Sequence, residues 1–261
     1  MISNSKQKML FLSVVFLLAG SLWGISDQEL LRQADSLASY MDTDFSAEYT
    51  ILQDKPGQTR TKTVADVFRR DSKENYVIMI KEPYVSRGQI YLKQGKTMWL
   101  YDPESKKFNS TSNQERFQNT NARNSDFTRS TLAQDYRISS GSDAMLGKLK
   151  CRVLQLEGLT NDLTYPKMKI WISEDGLVRM SEDYSLSGQL LRTSTFTDYW
   201  RIKDSKGDRY VPKQIIFTDA LRGANINGKF VNERTQITIA KVSFKKLADS
   251  IFNKTFLQRA G

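Results

Sequence analysis

The spacing of apolar residues changes once along this chain, near residue 44. Over 27–41 the apolar side chains recur at intervals of three and four residues, which places them on one face of an α-helix. From residue 45 onward apolar and polar residues alternate, as in a β-strand with one buried face. The pattern therefore predicts one amphipathic N-terminal helix followed by a β-rich body.

Segments with this alternating or β-rich pattern recur through the body, and turn sequences such as Lys55-Pro-Gly57 and Glu174-Asp-Gly176 separate them. The predicted strands are 45–52, 63–70, 76–81, 89–92, 97–101, 149–156, 168–173, 177–184, 190–202, 210–218 and 233–244. An antiparallel sheet with so many strands usually curls or splits. We therefore predict a mainly β fold with flanking helices, in which a strongly curved antiparallel sheet forms an incomplete β-barrel of about 11 strands.

Two segments interrupt the strands. Residues 110–130 are polar and aperiodic and lead into a short helical candidate at 130–136, whereas 247–257 predicts a second short helix or an extended tail. A long polar segment inside a compact domain is usually functional or disordered. A helix across the mouth of a curved sheet covers an apolar cavity, so 130–136 is the predicted lid. Spacing alone does not decide whether that cavity is open or filled by side chains.

The N-terminus has the three parts of a secretory signal peptide: Lys6 and Lys8, an apolar run over 9–20, and the small residues Gly24 and Ser26. The run is short for a membrane span, although an uncleaved N-terminal anchor is the alternative. We predict a signal peptide at 1–26, cleaved near Ser26, and a single domain at 27–261. Because no cysteine stands at the predicted cleavage site, the usual bacterial lipid attachment is not expected, and the mature protein is predicted to be soluble after export.

The composition excludes several kinds of chemistry. The chain has no histidine, which removes the commonest general base and the commonest zinc ligand. Its single cysteine, Cys151, cannot form an intramolecular disulfide and is expected to be a small buried thiol. The sequence has no Gly-x-Ser-x-Gly motif and no metal-ligand spacing. We therefore expect no enzymatic activity, no cofactor and no metal.

The charge is strongly positive, with 39 Lys and Arg against 29 Asp and Glu and a formal net charge of +10. These basic residues are scattered along the chain rather than clustered, which argues against a nucleic-acid partner. A distributed positive surface favours anionic partners such as phospholipid headgroups. The other interpretation is that these surface charges only keep the protein soluble.

Several motifs occur in a distinctive order. The first two are Ser86-Arg87-Gly88-Gln-Ile-Tyr-Leu92-Lys-Gln-Gly-Lys-Thr-Met98-Trp99-Leu-Tyr101-Asp102-Pro103 and Arg123-Asn-Ser125-Asp126-Phe127. The others are Tyr165-Pro166-Lys167-Met-Lys-Ile-Trp171-Ile, Thr195-Phe196-Thr-Asp198-Tyr199, Val211-Pro212-Lys213 and Asp249-Ser250-Ile251-Phe252-Asn253-Lys254-Thr255-Phe256-Leu257. Over 44–258 this order resembles the outer-membrane lipoprotein-sorting proteins of the LolA-like superfamily.

Members of that superfamily are periplasmic carriers, built as an unclosed antiparallel barrel with a helical lid and a cavity for the acyl chains of a lipoprotein. The resemblance implies a carrier that takes acyl chains of lipoproteins or lipids from an inner-membrane ABC-type extractor. It also implies delivery to an outer-membrane acceptor, without covalent chemistry. We expect the protein to be a monomer.

The alternation of strand residues supplies candidates for the cavity wall. The predicted lipid-binding residues are Phe45, Tyr49, Ile51, Ile78, Met98, Leu100, Ile170, Ile172, Met180 and Phe196, with Leu132 and Tyr136 in the lid. Alternation does not say which face of the sheet is concave, and an error of one residue in register would turn each set outward.

Two other functions remain open at this point. A lipid-sensing regulator of the envelope-stress response with the same fold would bind acyl chains without delivering them. An envelope hydrolase would depend on carboxylate, lysine or metal chemistry, because the chain has no histidine.

Overall fold

The structure, a computed structural model, describes residues 24–204 and 206–260. The predicted signal peptide lies outside the described residues, except for its last three positions. Over the described residues the chain forms three α-helices and fifteen β-strands. The helices are α1 (Asp27–Leu37), α2 (Leu132–Asp135) and α3 (Lys254–Ala260). No helix in this part of the chain is long and apolar enough to cross a membrane.

The strands follow one another closely along the chain. They are β1 (Phe45–Asp54), β2 (Thr61–Arg70), β3 (Asn75–Glu82), β4 (Ile90–Gln94), β5 (Thr97–Asp102), β6 (Lys107–Thr111), β7 (Tyr136–Leu146), β8 (Leu149–Gly158), β9 (Lys167–Ser173), β10 (Val178–Tyr184), β11 (Leu190–Phe196), β12 (Tyr199–Asp204), β13 (Gly207–Pro212), β14 (Gln214–Ile226) and β15 (Lys229–Ser243).

Thirteen of the described strands form one antiparallel sheet that does not close into a barrel. The order across the sheet is β6-β5-β4-β3-β2-β1-β15-β14-β11-β10-β9-β8-β7, and β12 and β13 pair in a separate hairpin. The two ends of the β-rich region meet in the middle of the sheet, where β1 pairs with β15. The predicted mainly β fold, with an open antiparallel sheet and an N-terminal helix, is confirmed.

The strand boundaries differ from the prediction in two places. The predicted strands 190–202 and 210–218 each divide in two, because Asp198 and Lys213 leave the sheet and bind each other. The Lys213 N–H donates to the Asp198 carbonyl at 2.8 Å, and its ammonium lies 2.7 Å from the Asp198 carboxylate. The sequence pattern missed β6 and β7, which are the edge strands of the sheet and are too exposed to have a clear alternation.

Two parts of the chain cover one face of the sheet, here called the inner face. Helix α1 covers β8 and β9, where Leu30, Leu31 and Ala34 pack against Leu154 and Ile170. Residues 112–131, here called the inner segment, cover the region of β1 to β5. The sequence predicted a polar loop at 110–130, but its few apolar residues, Phe117, Ala122 and Phe127, are buried in the core.

The polar residues of the inner segment bind the inner face of the sheet. The Arg116 guanidinium lies 2.7 Å from the Asp219 carboxylate of β14. The Asn121 N–H donates to the hydroxyl of Thr235 at 2.8 Å, and that hydroxyl in turn bonds Gln53. The segment is polar because it satisfies buried partners, rather than because it is exposed to solvent.

A buried ion cluster ties the inner segment to β10 and β11. Arg192 donates through Nε to Asp183 at 2.8 Å and through its two terminal nitrogens to both oxygens of Asp126 at 2.6 and 2.9 Å. The guanidinium also lies 4.4 Å from the ring centre of Phe217. Asp183 is fully buried, and this burial raises the pKa of its carboxyl group, while Arg192 opposes the shift. The cluster therefore holds the inner segment, β10 and β11 together.

The C-terminal tail covers the opposite, outer face of the sheet at β3, β4 and β5. The tail contains a 3₁₀ turn at Asp249–Phe252 followed by α3. Phe252 and Leu257 pack against a buried cluster on β3, β4 and β5. Arg70 pairs with the carboxylate of Asp44 at 2.8 Å and with that of Asp249, so the tail is bound by charge as well as by apolar contact.

Replacing Arg192 should make stability depend on pH. Arg192→Met leaves the buried Asp183 carboxylate without its partner, which should lower the free energy of unfolding by about 3–5 kcal/mol near neutral pH. The pKa of Asp183 is raised in the folded state, so its contribution to stability is present at low pH and is lost as the pH rises through the folded-state value. The loss should therefore shrink as the pH falls. Urea unfolding at neutral pH and at a mildly acidic pH measures this.

The variant that combines Arg192→Met with Asp183→Asn is the control. Because it lacks the Asp183 carboxylate, its free energy of unfolding should change less between the two pH values than that of Arg192→Met. An Arg192→Met penalty of equal size at both pH values would contradict the role assigned to the ion cluster.

Candidate functional site

A cavity of about 330 Å³ lies on the inner face, between α1 and the inner segment. Its apolar wall comes from α1, α2, the strands of the large sheet and the β12–β13 hairpin. These wall residues are Ala34, Leu37, Phe45, Tyr49, Leu132, Tyr136, Met168, Ile170, Val178, Phe196, Val211, Ile215 and Ile239. Ligand sites in proteins span roughly 300–1,000 Å³, so this cavity is large enough for one small apolar group. The inner face is therefore not completely filled by its own side chains.

The roof of the cavity consists of α1, α2 and residues 128–131 before α2. The Asp35 carboxylate of α1 accepts hydrogen bonds from the backbone N–H of Leu132 at 3.1 Å and of Ala133 at 2.7 Å. Ser39 donates from its hydroxyl to the Ser130 carbonyl at 3.2 Å. The Ser130 hydroxyl also donates to the Asp35 carboxylate at 2.5 Å, and Leu132 and Ala133 pack in the same cluster as Leu30 and Leu31. The lid predicted at 130–136 corresponds to this region.

Arg69 lies at the end of the cavity near the C-terminus of α1. Its guanidinium pairs with Asp71 at 2.7 Å, and its Nη2 lies 3.5 Å from the Ala38 carbonyl. It also lies 5.2 Å from the ring centre of Tyr40. The Tyr40 N–H donates to Asp71 at 2.8 Å, so the ion pair holds the chain that follows α1 against β2. Burial raises the pKa of the neighbouring Tyr49 to about 12, which keeps that part of the wall uncharged at neutral pH.

A second, polar cavity of about 370 Å³ adjoins the first. The two share Arg69, Thr128, Arg129, Thr131 and Asp135 as wall residues. The polar cavity is also bordered by Lys93, a buried residue whose ammonium donates to the backbone carbonyls of Glu74 and Gly95. Burial lowers the pKa of Lys93. An apolar cavity beside a polar one suits a molecule with an apolar chain and a polar end.

The structure brings together half of the residues that the sequence proposed for the site. Phe45, Tyr49, Ile170, Phe196, Leu132 and Tyr136 border the apolar cavity. The remaining six lie elsewhere. Ile51, Ile78, Met98 and Leu100 pack beneath the inner segment, Ile172 packs beneath α1, and Met180 packs on the outer face against Cys151, Val153 and Trp171.

Met180 lies on the outer face because β10 contains a β-bulge. Val178 pairs with Ile172, but Met180 pairs with Trp171, so the register against β9 shifts by one residue between them. The shift places Val178 in the cavity wall and Met180 on the opposite face.

Sequence reasoning missed other residues of the wall. Ala34 and Leu37 belong to the predicted apolar face of the N-terminal helix, so the sequence pattern could have identified them as wall residues. No sequence pattern pointed to Tyr199 and Tyr210, because the residues of the β12–β13 hairpin were predicted as parts of longer strands. The charged wall residue Arg192 was missed because its partner Asp126 is 66 residues away in sequence and Asp183 meets it only across the β10–β11 hairpin.

The described residues contain no candidate metal centre, and their one cysteine is buried. Over 24–204 and 206–260, no group of three or more Asp, Glu, Cys or His side chains is placed to hold a metal ion. Cys151 is buried, and this burial raises the pKa of its thiol. A thiol with a raised pKa is a poor nucleophile.

The fold is similar to that of several solved structures. A LolA superfamily protein from Nitrosomonas europaea is 25% identical, with a TM-score of 0.73 over 89% of this chain and 99% of that protein. An outer membrane lipoprotein-sorting protein domain from Vibrio parahaemolyticus is 18% identical, with a TM-score of 0.75 over 89% and 98%. A DUF1329 family protein from Desulfovibrio piger is 16% identical, with a TM-score of 0.73 over 88% and 97%.

A comparison with family models identifies the group to which this chain belongs. The matching model is described as an uncharacterised protein and covers residues 72–259, which is more than half of the chain. A search of the curated proteins finds no match. The chain therefore belongs to the family that this model describes, and it has the fold of the LolA-like superfamily.

Proposed function

We propose that this protein is an exported carrier that encloses an acyl chain of a lipoprotein or lipid and moves it from the inner to the outer membrane. The observation that supports this proposal is the open apolar cavity of about 330 Å³ beneath the two-helix roof. Each methylene group removed from water contributes about 0.8 kcal/mol. An enclosed chain would thus be held without a covalent bond. The small volume favours one chain, or part of one, over several.

Uptake and release require the roof to open. The contacts between Asp35 and the first backbone groups of α2 are the ones that must break, because they join the two helices directly. A receiving membrane or acceptor would favour release by binding the open state better than the closed one. The function proposed is binding and transfer, with no covalent step.

We extend the proposal to the cellular setting. The carrier would receive its cargo from an inner-membrane ABC-type extractor, deliver it to an outer-membrane acceptor, and work in the periplasm as a monomer after removal of residues 1–26. Asp27 would then remain in the mature protein, where its carboxylate pairs with Arg152 at 2.7 Å. Cleavage after Ser26 removes the side chain that caps α1 by accepting from the Glu29 N–H. The Asp27–Arg152 pair would still hold the start of the helix.

A charge placed in the cavity wall should weaken acyl-chain binding. Phe196 is half-buried on β11 and borders the cavity, so Phe196→Asp should lower the affinity for a fluorescent fatty acid at least about tenfold. Met180 on the neighbouring strand is also half-buried but lies on the outer face. Met180→Asp is therefore the matched control, and it should leave the affinity unchanged. Fluorescence titration measures both.

Loss of affinity in both variants, or in neither, would argue against the apolar cavity as the binding site. Circular dichroism on the two variants identifies a loss that comes from unfolding.

Depletion of the protein in its own cell tests the transport role. We expect lipoproteins to accumulate in the inner-membrane fraction, because their acyl chains would lack a soluble route to the outer membrane. Membrane fractionation followed by immunoblotting measures their distribution. Correct localisation together with an altered envelope-stress response would favour a lipid-sensing regulator instead.

A further inference from the structure

The hairpin formed by β14 and β15 extends beyond the rest of the sheet. The pairing of β11 with β14 ends at Asp219, and the pairing of β1 with β15 ends at Arg234. Residues 220–233 of β14 and β15 therefore pair only with each other. This projecting arm has four exposed large apolar side chains: Leu221, Ile226, Phe230 and Val231.

The exposed apolar side chains lie on both faces of the arm. Asn225 pairs with Phe230 and Ala224 pairs with Val231, and residues paired across two strands point to the same face. Because successive residues alternate between faces, Phe230 lies on one face and Ile226 and Val231 lie on the other. Neither face is covered by another part of the described chain to the extent of burying these side chains.

Three neighbouring turns lie at the same end of the sheet as the arm. The strands β4, β3, β2, β1, β15, β14, β11 and β10 are adjacent and antiparallel. The β1–β2, β3–β4 and β10–β11 turns therefore share one edge with the tip of the arm. Tyr84 and Val85 in the β3–β4 turn are 82% and 87% exposed, and Leu186 in the β10–β11 turn is 72% exposed. We call residues 54–62, 82–89, 185–189 and 220–234 the hairpin rim.

The hairpin rim is also positively charged. It contains seven basic residues (Lys55, Arg60, Lys62, Arg87, Arg222, Lys229 and Arg234) and three acidic residues (Asp54, Glu82 and Glu233). Each acidic residue pairs with a basic residue of the rim, namely Arg60, Lys62 and Arg222 respectively. Within the described part of the chain, the other four basic residues have no carboxylate in ion-pair range.

We propose that the hairpin rim docks the protein on an anionic phospholipid surface. Its exposed apolar side chains would enter the interfacial region, and its four unpaired cations would contact lipid phosphates. A bilayer suits this surface better than a folded protein partner, because both faces of the arm are apolar and a rigid partner would cover only one. This inference goes beyond the proposed transport function and does not depend on what occupies the cavity.

Vesicle flotation of the full chain tests the proposal. The wild-type protein should float with vesicles that contain phosphatidylglycerol and much less with pure phosphatidylcholine. Lys55→Glu combined with Lys229→Glu should lower the partition coefficient about tenfold or more. Val85→Ser combined with Ile226→Ser should lower it in the same direction, because both side chains are exposed and apolar.

The β7–β8 turn at the opposite end of the sheet supplies matched controls. Lys148→Glu with Lys150→Glu changes the net charge by the same amount, and Met145→Ser with Leu149→Ser removes two exposed apolar side chains. Neither control should change flotation. An equal loss in rim and control variants, or no flotation of the wild type, would overturn the proposal. Unchanged affinity of every variant for the fluorescent fatty acid separates this result from a failure of the cavity.

Discussion

A sheet of thirteen strands that does not close must have its inner face covered by other parts of the chain. Here α1 and the inner segment cover that face from opposite sides and meet where Ser130 bonds Asp35 and Ser39. The cavity lies beneath this contact. It exists because the two coverings leave part of the inner face between them unfilled.

Charged side chains determine how far the inner segment extends. Arg116 and Arg192 fix the segment to the sheet at two points, through Asp219 and through Asp126 with Asp183. A buried charge is costly without a partner, so these pairs hold the segment in a single position.

The alternation of residues predicted the fold and part of the site. In β1 it placed Phe45 and Tyr49 on one face of the strand, and in the structure both border the cavity. Ile51 lies on the same face of the same strand, but the inner segment covers it. Alternation identifies the face of a strand and not which part of that face remains uncovered. The uncovered part depends on contacts such as Asp126 with Arg192, which are 66 residues apart in sequence.

The register of β10 is the other reason why the predicted and the observed wall residues differ. The bulge between Val178 and Met180 reverses the faces of β10 beyond that point, and no feature of the local sequence marks it. The β12–β13 hairpin was missed because its residues continue the β-rich pattern of the strands on either side.

Native mass spectrometry of the protein, purified from its own cell without detergent, tests the central claim most directly. The account predicts that part of the protein has an added mass equal to a lipid or an acylated peptide. Ala34→Trp, which fills the cavity from α1, should remove that mass. A wild-type protein without any bound lipid, or an adduct that persists in Ala34→Trp, would contradict the claim that this cavity holds an acyl chain.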